Sequence, residues 1–293
     1  MLGIGLAFLS AILVSAKTIE VKKFFEESDE YWGGCLMTMC SWPLALAILM
    51  FYNFPSVTKI FWYLLAFKGI LASVVIVLFI KAHKYDVSLI TPMMCFTPVF
   101  MLPLSPLVLG QNISLTGVIC VILIVIGAYL LNVSDIKSGL LAPIKSLVNN
   151  RGARIMLLVA FLNAIMSIID GLGIKNAGND FLGSIYWTFI TNLVTSMLLL
   201  FIILIGRKKN SDLTQTKKKQ ILCAGFFRGL EEITQMCAMT FIPAVYVNAI
   251  KRTSVIIVVA IGGSLFKEKK LKQRIPGAIV MVIGVVLLLF SSI

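Results

Sequence analysis

Ten stretches of this chain are each continuously apolar for about 20 residues, the length an α-helix needs to cross the hydrocarbon core of a bilayer. No other feature limits the fold so strongly. Barrel strands alternate over about ten residues, so runs of this length and continuity argue for helices. With 59% of the 293 residues apolar and 13% charged, a water-soluble globule is excluded, because its interior could not hide that much apolar surface. The runs at 2–21, 32–52, 60–81, 87–109, 113–133, 154–174, 182–205, 220–242, 244–266 and 275–293 predict an all-α, polytopic membrane protein with ten transmembrane helices. The connections leave no room for a soluble domain. The first run has no basic stretch before it and reads as a retained helix rather than a signal peptide.

A net charge of +13 is spread over short loops, so it reads as an orientation signal, and no nucleic-acid partner is expected. Four of the 26 basic residues, Lys68, Arg228, Lys251 and Arg252, fall inside the runs. All the others except Lys59 and Lys175 follow odd-numbered runs, Lys17 counting with the cluster that closes the first. By the positive-inside rule that side is cytoplasmic, which predicts a multi-pass protein of the cell (cytoplasmic or inner) membrane with both termini outside. Six cysteines without a Cys-x-x-Cys pair, and a single histidine, support neither a disulfide framework nor a metal site, and no cofactor is expected. No nucleophile has a base in evident reach, which argues against an enzyme.

The fourth run carries Pro92, Pro98, Pro103 and Pro106, each lacking a backbone donor, and should kink. Aromatic pairs such as Trp62-Tyr63 and Tyr186-Trp187 sit near run ends, where they read as interfacial anchors. A shift of 157 residues lays Val125-Ile126-Gly127 on Val282-Ile283-Gly284 and Leu130-Leu131 on Leu287-Leu288. Two five-helix repeats are expected, 1–134 and 154–293, joined by a basic loop at 135–153. Five is odd, so the second repeat should enter the membrane upside down.

These features resemble the drug/metabolite transporter superfamily, in particular its EamA-type ten-span carriers. The resemblance rests on Lys251-Arg252-Thr253-Ser254, Leu265-Phe266-Lys267-Glu268 and the run from Gly277 to Gly284. In the first half it rests on Thr97-Pro98-Val99-Phe100, Leu109-Gly110-Gln111 and Ile126-Gly127. A proline is usual in the family after the Thr-Ser pair, and Val255 stands there; members are also usually drawn with cytoplasmic termini. The resemblance implies secondary transport of a small solute through a central cavity between the repeats.

Seven ionisable residues lie well inside the runs: Lys68, Asp170, Arg228, Glu231, Glu232, Lys251 and Arg252. At about 2.5–3.5 kcal/mol each in lipid, their total of roughly 20 kcal/mol exceeds a typical folding stability of about 5–15 kcal/mol. They must pair, bind solute or line a wet cavity. Helical spacing groups Arg228, Glu231, Glu232 and Gln235 on one face, and Asn248, Lys251 and Arg252 on another. Asn163, Ser167 and Asp170 form a third stripe, and Thr188, Thr191, Asn192 and Thr195 a fourth. Glu231, Glu232, Lys251 and Arg252 are expected to meet in a polar cavity. A competing reading pairs Arg228 with Glu232 or Glu231 and leaves the charges structural.

The expected function is a secondary active transporter moving a small polar or amphipathic metabolite by alternating access, with proton coupling available to an acid held among cations. The alternatives are a lipid-linked headgroup flippase, a membrane-embedded enzyme or a non-transporting subunit. The expected partners are a small-molecule solute and the lipid bilayer, with monomer and homodimer both open.

Overall fold

The computed structural model describes residues 1–24, 30–83, 93–132, 151–206, 215–254, 256–257 and 271–291. Pro92, Val255, the Leu265-Phe266-Lys267-Glu268 motif and most of the basic loop at 135–153 lie outside these residues. The regular structure described is helical: α1 (Leu2–Phe24), α2 (Glu30–Met39), α3 (Trp42–Leu49), α4 (Lys59–His83), α5 (Thr97–Leu104) continued by a π-helical turn (Ser105–Leu109), α6 (Leu115–Asn132), α7 (Arg151–Lys175), α8 (Phe181–Ile205), α9 (Gln215–Met239), α10 (Ala244–Lys251) and α11 (Leu271–Ser291). Among the described residues, four stretches are long and apolar enough to cross a membrane: Tyr31–Leu49, Lys59–Ala82, Arg151–Lys175 and Phe181–Ile205. Shorter apolar helices occupy Leu2–Lys17, Thr97–Leu109, Leu115–Leu130 and Pro276–Leu288. Large apolar side chains such as Phe67, Ile70, Phe201 and Leu204 lie on the outside, a surface that lipid accepts and water does not. This is a multi-pass membrane protein.

Contacts divide the chain into two compact units, one of residues 1–80 and 169–241, the other of residues 81–168 and 242–293. In the first, α1 lies along α9, and α8 packs on α2, α3 and α9. One apolar cluster joins Cys35, Ile76, Ile80, Leu199 and Ile221; another joins Ala45, Leu49, Ile185, Ile233 and Cys237. Close approach is permitted by glycine. A Cβ at Gly229 would stand 2.6 Å from the Ser41 carbonyl oxygen, and one at Gly225 would stand 2.3 Å from Cys40 Cβ.

The apolar stretch Tyr31–Leu49 is broken by a turn at Cys40–Ser41. Pro43 lies in the first turn of α3, where it cannot donate back to the helix before it. Ser41 Oγ donates to the Thr38 carbonyl at 2.7 Å, so a hydroxyl covers a carbonyl that lipid could not. Between α7 and α8 the chain reverses through Gly178 (φ 102°) and Asn179 (φ 55°), both in the left-handed region. Asp180 then caps α8, its carboxylate accepting from Gly183 N at 2.6 Å.

In the second unit, α6 and α11 pack along one another. A Cβ on Gly127 would come within 2.4 Å of Met281 N and 2.7 Å of Gly277 O. A Cβ on Gly284 would come within 2.9 Å of Ile124 N and 3.0 Å of Cys120 O. The two contacts are reciprocal: Gly127, Ile124 and Cys120 lie 157 residues before Gly284, Met281 and Gly277. As the number rises on one helix it falls on the other, so the pair is antiparallel.

The same spacing relates two helix breaks. A turn at Cys95–Phe96 precedes α5, and a turn at Arg252–Thr253 ends α10. Phe96 N donates to Met93 O at 3.2 Å, and 157 residues on, Thr253 N donates to Ile250 O at 2.9 Å. Hydroxyls cover carbonyls at both, Thr97 Oγ1 on Met94 O at 3.0 Å and Thr253 Oγ1 on Ile250 O at 2.7 Å. Pro98 accounts for the first break, and the second forms although Val255 replaces the family's usual proline. The proline-rich segment bends as expected, with Pro103 inside α5, the π-helical turn after it and Gly110 (φ 66°) closing it.

Candidate functional site

Polar side chains buried among apolar helices concentrate in the first unit, where three ion pairs stand out among the described residues. Lys68 of α4 donates from Nζ to Asp170 Oδ1 near the end of α7, with both side chains more than 90% buried. Trp187 Nε1 donates to the same oxygen at 2.7 Å. Trp187 is completely buried: a Cβ on Gly173 would stand 2.4 Å from its ring, and Phe61 meets it edge-on at 5.1 Å between centroids. It does not anchor the protein at an interface, as its place near a run end suggested. The indole is spent on Asp170, one turn from Gly173, where the missing side chain makes room for it.

The second pair joins Lys17 Nζ of α1 to Glu231 Oε2 of α9 at 2.5 Å, with the glutamate side chain only 2% exposed. Counting charges by loop misses Lys17. The available signal is that it lies inside the apolar helix Leu2–Lys17 and, seven residues after Ser10, on the same helical face. Ser10 Oγ makes a long contact, 3.4 Å, to the Glu231 carbonyl.

The third pair is local. Arg228 Nη2 meets Glu232 Oε1 at 2.6 Å one turn along α9, and Asn192 Nδ2 of α8 donates to Glu232 Oε2. These side chains are less enclosed, 15% exposed for Arg228 and 19% for Glu232. The stripe on α8 faces inward: Thr188, Thr191, Asn192 and Thr195 are buried, and their side chains also donate to carbonyls one turn back in their own helix.

The residues singled out from sequence therefore sort clearly. Lys68 meets Asp170; Arg228 and Asn192 both meet Glu232; Glu231 meets Lys17. Gln235 is buried on α9. In the second unit Asn248 is buried on α10 with its amide on the Ala244 carbonyl at 3.0 Å, and Lys251 and Arg252 sit half-buried at that helix's end. Asn163 is half-buried on α7, and its side chain has no hydrogen bond among the described residues. Gln111 gains a structural role. Its Oε1 accepts from Ala244 N at 3.1 Å, satisfying an orphan donor at the start of α10, and from Ser105 Oγ at 2.6 Å.

Among the described residues no three His, Cys, Asp or Glu side chains gather as a metal site. Chemically the arrangement consists of carboxylates held by cations inside an apolar fold, suited to exchanging partners with a solute or a proton.

No curated relative matches the chain. A solved crystal structure is similar to it with a TM-score of 0.76 at 9% identity, over 99% of this chain and 97% of that one, a likeness of fold. The model of the EamA-like transporter family matches residues 1–133 and 154–290, and members of that family are transporters, not enzymes. With nearly its whole length matched and its charges buried among apolar helices, the chain belongs to the EamA-like transporter family, within the drug/metabolite transporter superfamily.

Proposed function

We propose that this protein is a secondary active transporter that moves a small polar or amphipathic metabolite across the cytoplasmic membrane by alternating access. It uses ten transmembrane helices in two inverted five-helix repeats, 1–134 and 154–293, with both termini outside. The observation that carries this reading is the set of ion pairs Lys17–Glu231, Lys68–Asp170 and Arg228–Glu232 buried among apolar helices. A fold that needed no polar interior would gain by replacing such pairs with apolar side chains. The antiparallel glycine contact and the paired helix breaks, each separated by 157 residues, support an inverted repeat. Broken helices are a recurring transporter device, because they offer backbone groups to solute at membrane depth. Lys251 and Arg252 stand at one such break.

Coupling follows from the same geometry. An acid that loses its lysine as helices move becomes costly to keep charged and takes up a proton; Asp170 and Glu231 are the candidates. The test is reconstitution into liposomes with an imposed pH gradient, following uptake of labelled amino acids, nucleosides, organic cations and organic anions. Gradient-driven uptake of one class, abolished by Asp170→Asn or Glu231→Gln in protein that still folds, is the expected result. Wild-type uptake by Glu231→Gln, Glu232→Gln, Lys251→Gln and Arg252→Gln, with unchanged pH dependence, would make these charges structural.

A further inference from the structure

Three helices of the first unit, α3, α8 and α9, meet around Ala45, Leu49, Ile185, Ile233 and Cys237. Two donors on these helices are buried without a hydrogen-bond partner among the described residues, Nε1 of Trp42 on α3 and Nε of Arg228 on α9. Packing brings their surroundings together. Trp42 meets Phe189 of α8 edge-on at 6.0 Å, and Asn192, one turn beyond Phe189, holds Glu232. Gly229, next to Arg228, lies against Ser41, next to Trp42. Phe189, Asn192, Arg228 and Glu232 lie inside α8 and α9, and Trp42 opens α3 at the break within the apolar stretch Tyr31–Leu49, where water is scarce and an unmade hydrogen bond is costly.

Both groups donate and neither accepts, so the atom that satisfies them is an oxygen or another acceptor. Charge narrows the class further. Arg228 already has its counter-charge in Glu232, whose second oxygen is taken by Asn192. A carboxylate would arrive beside Glu232 with no cation of this cluster left to balance it. We infer that Trp42 and Arg228 are the donors of a solute-binding site that takes the uncharged carbonyl or hydroxyl oxygen of an amphipathic solute, with Trp42 and Phe189 as the aromatic wall for its apolar body. The inference deepens the transporter reading and rests on it.

Three probes share one apolar body and differ in the polar group: phenylacetamide, phenylacetate and phenethylamine. Thermal unfolding of the purified full chain in detergent is followed as each is titrated. Phenylacetamide is expected to stabilise saturably and at lower concentration than the other two. Trp42→Phe keeps the ring and removes the donor; Arg228→Lys keeps the charge facing Glu232 and removes Nε. Each should raise the half-saturating concentration about tenfold, the effect of one hydrogen bond, while Trp62→Phe on the exposed side leaves it unchanged. The inference is overturned if phenylacetamide does not stabilise saturably, if phenylacetate binds more tightly, or if Trp42→Phe binds as the wild type does. That last result is also what a water held by the two donors predicts. Uptake of labelled phenylacetamide into liposomes separates the two readings. Trp42-dependent binding without uptake sinks the transporter and spares the site, whereas uptake indifferent to Trp42 does the opposite.

Discussion

Removing Lys68 should expose how much the fold depends on its buried pairs. Lys68 and Asp170 side chains are 8% and 5% exposed, so Lys68→Met leaves a carboxylate that neither water nor lipid can relieve. Breaking such a pair by removing one partner costs about 3–5 kcal/mol. Trp187 still donates to Asp170, which favours the lower end, about 3 kcal/mol or roughly a hundredfold in the folding equilibrium. Replacing both, Lys68→Met with Asp170→Leu, removes both charges and leaves the Trp187 N–H unpaired, a cost of about 1–3 kcal/mol offset by apolar packing. The double variant is therefore expected to be more stable than either single one, although it should not couple transport to protons. Denaturation in mixed micelles followed by circular dichroism measures all four corners of the cycle. A loss below about 1 kcal/mol for Lys68→Met, or single effects that simply add, would refute the argument.

Gly127→Ala and Gly284→Ala should each lower the thermal midpoint, by about 1–3 kcal/mol in stability and more for Gly127, where the new methyl meets backbone at 2.4 Å; Gly5→Ala, in open space, should not. Gln111→Ala should cost about 1 kcal/mol by stripping the acceptor from Ala244 N, and Gln111→Glu should restore most of it in the same melt. Pro98→Ala should leave transport intact, since the equivalent break at Arg252–Thr253 forms without proline; loss of uptake in well-folded Pro98→Ala would show otherwise. An impermeant thiol reagent applied to intact cells should label cysteines placed at positions 59 and 175 but not at 208, 218 or 270, and strong labelling at 218 would reverse the predicted orientation.

Reading charges inside apolar runs found Lys68, Asp170, Arg228, Glu231 and Glu232, because a buried charge is costly in any arrangement and so stands out before the arrangement is known. The Arg228–Glu232 pair, one turn apart on a single helix, was among the pairings the spacing offered, but the long-range partners were not legible. Lys68 and Asp170 are 102 residues apart, and Glu231 and Lys17 are 214 apart, so pairing depends on which helices touch. Lys17 was hidden by its neighbours Lys22 and Lys23, which make it look like the start of a loop. Glycines at a fixed offset pointed to a repeat, but only their contacts show that each meets the backbone of the other helix. Pro43 was a visible signal for the break at Cys40–Ser41, yet the break at Arg252–Thr253 has no proline to announce it. Trp187 misled because its position in sequence is that of an interfacial ring, while Gly173 and Asp170, which draw it inward, lie on another helix.

Trp187 also gives the protein a built-in optical reporter. Its indole is wholly shielded and hydrogen-bonded to a carboxylate that is itself held by Lys68. Indole emission responds to nearby charge and to hydrogen bonding at the ring nitrogen, so losing or neutralising either member of the pair changes the colour or yield of this one fluorophore. With Trp32 and Trp62 replaced by phenylalanine and Trp42 kept for the solute, the part of the signal change that Lys68→Met abolishes would record the making and breaking of a single ion pair during turnover, without an attached dye.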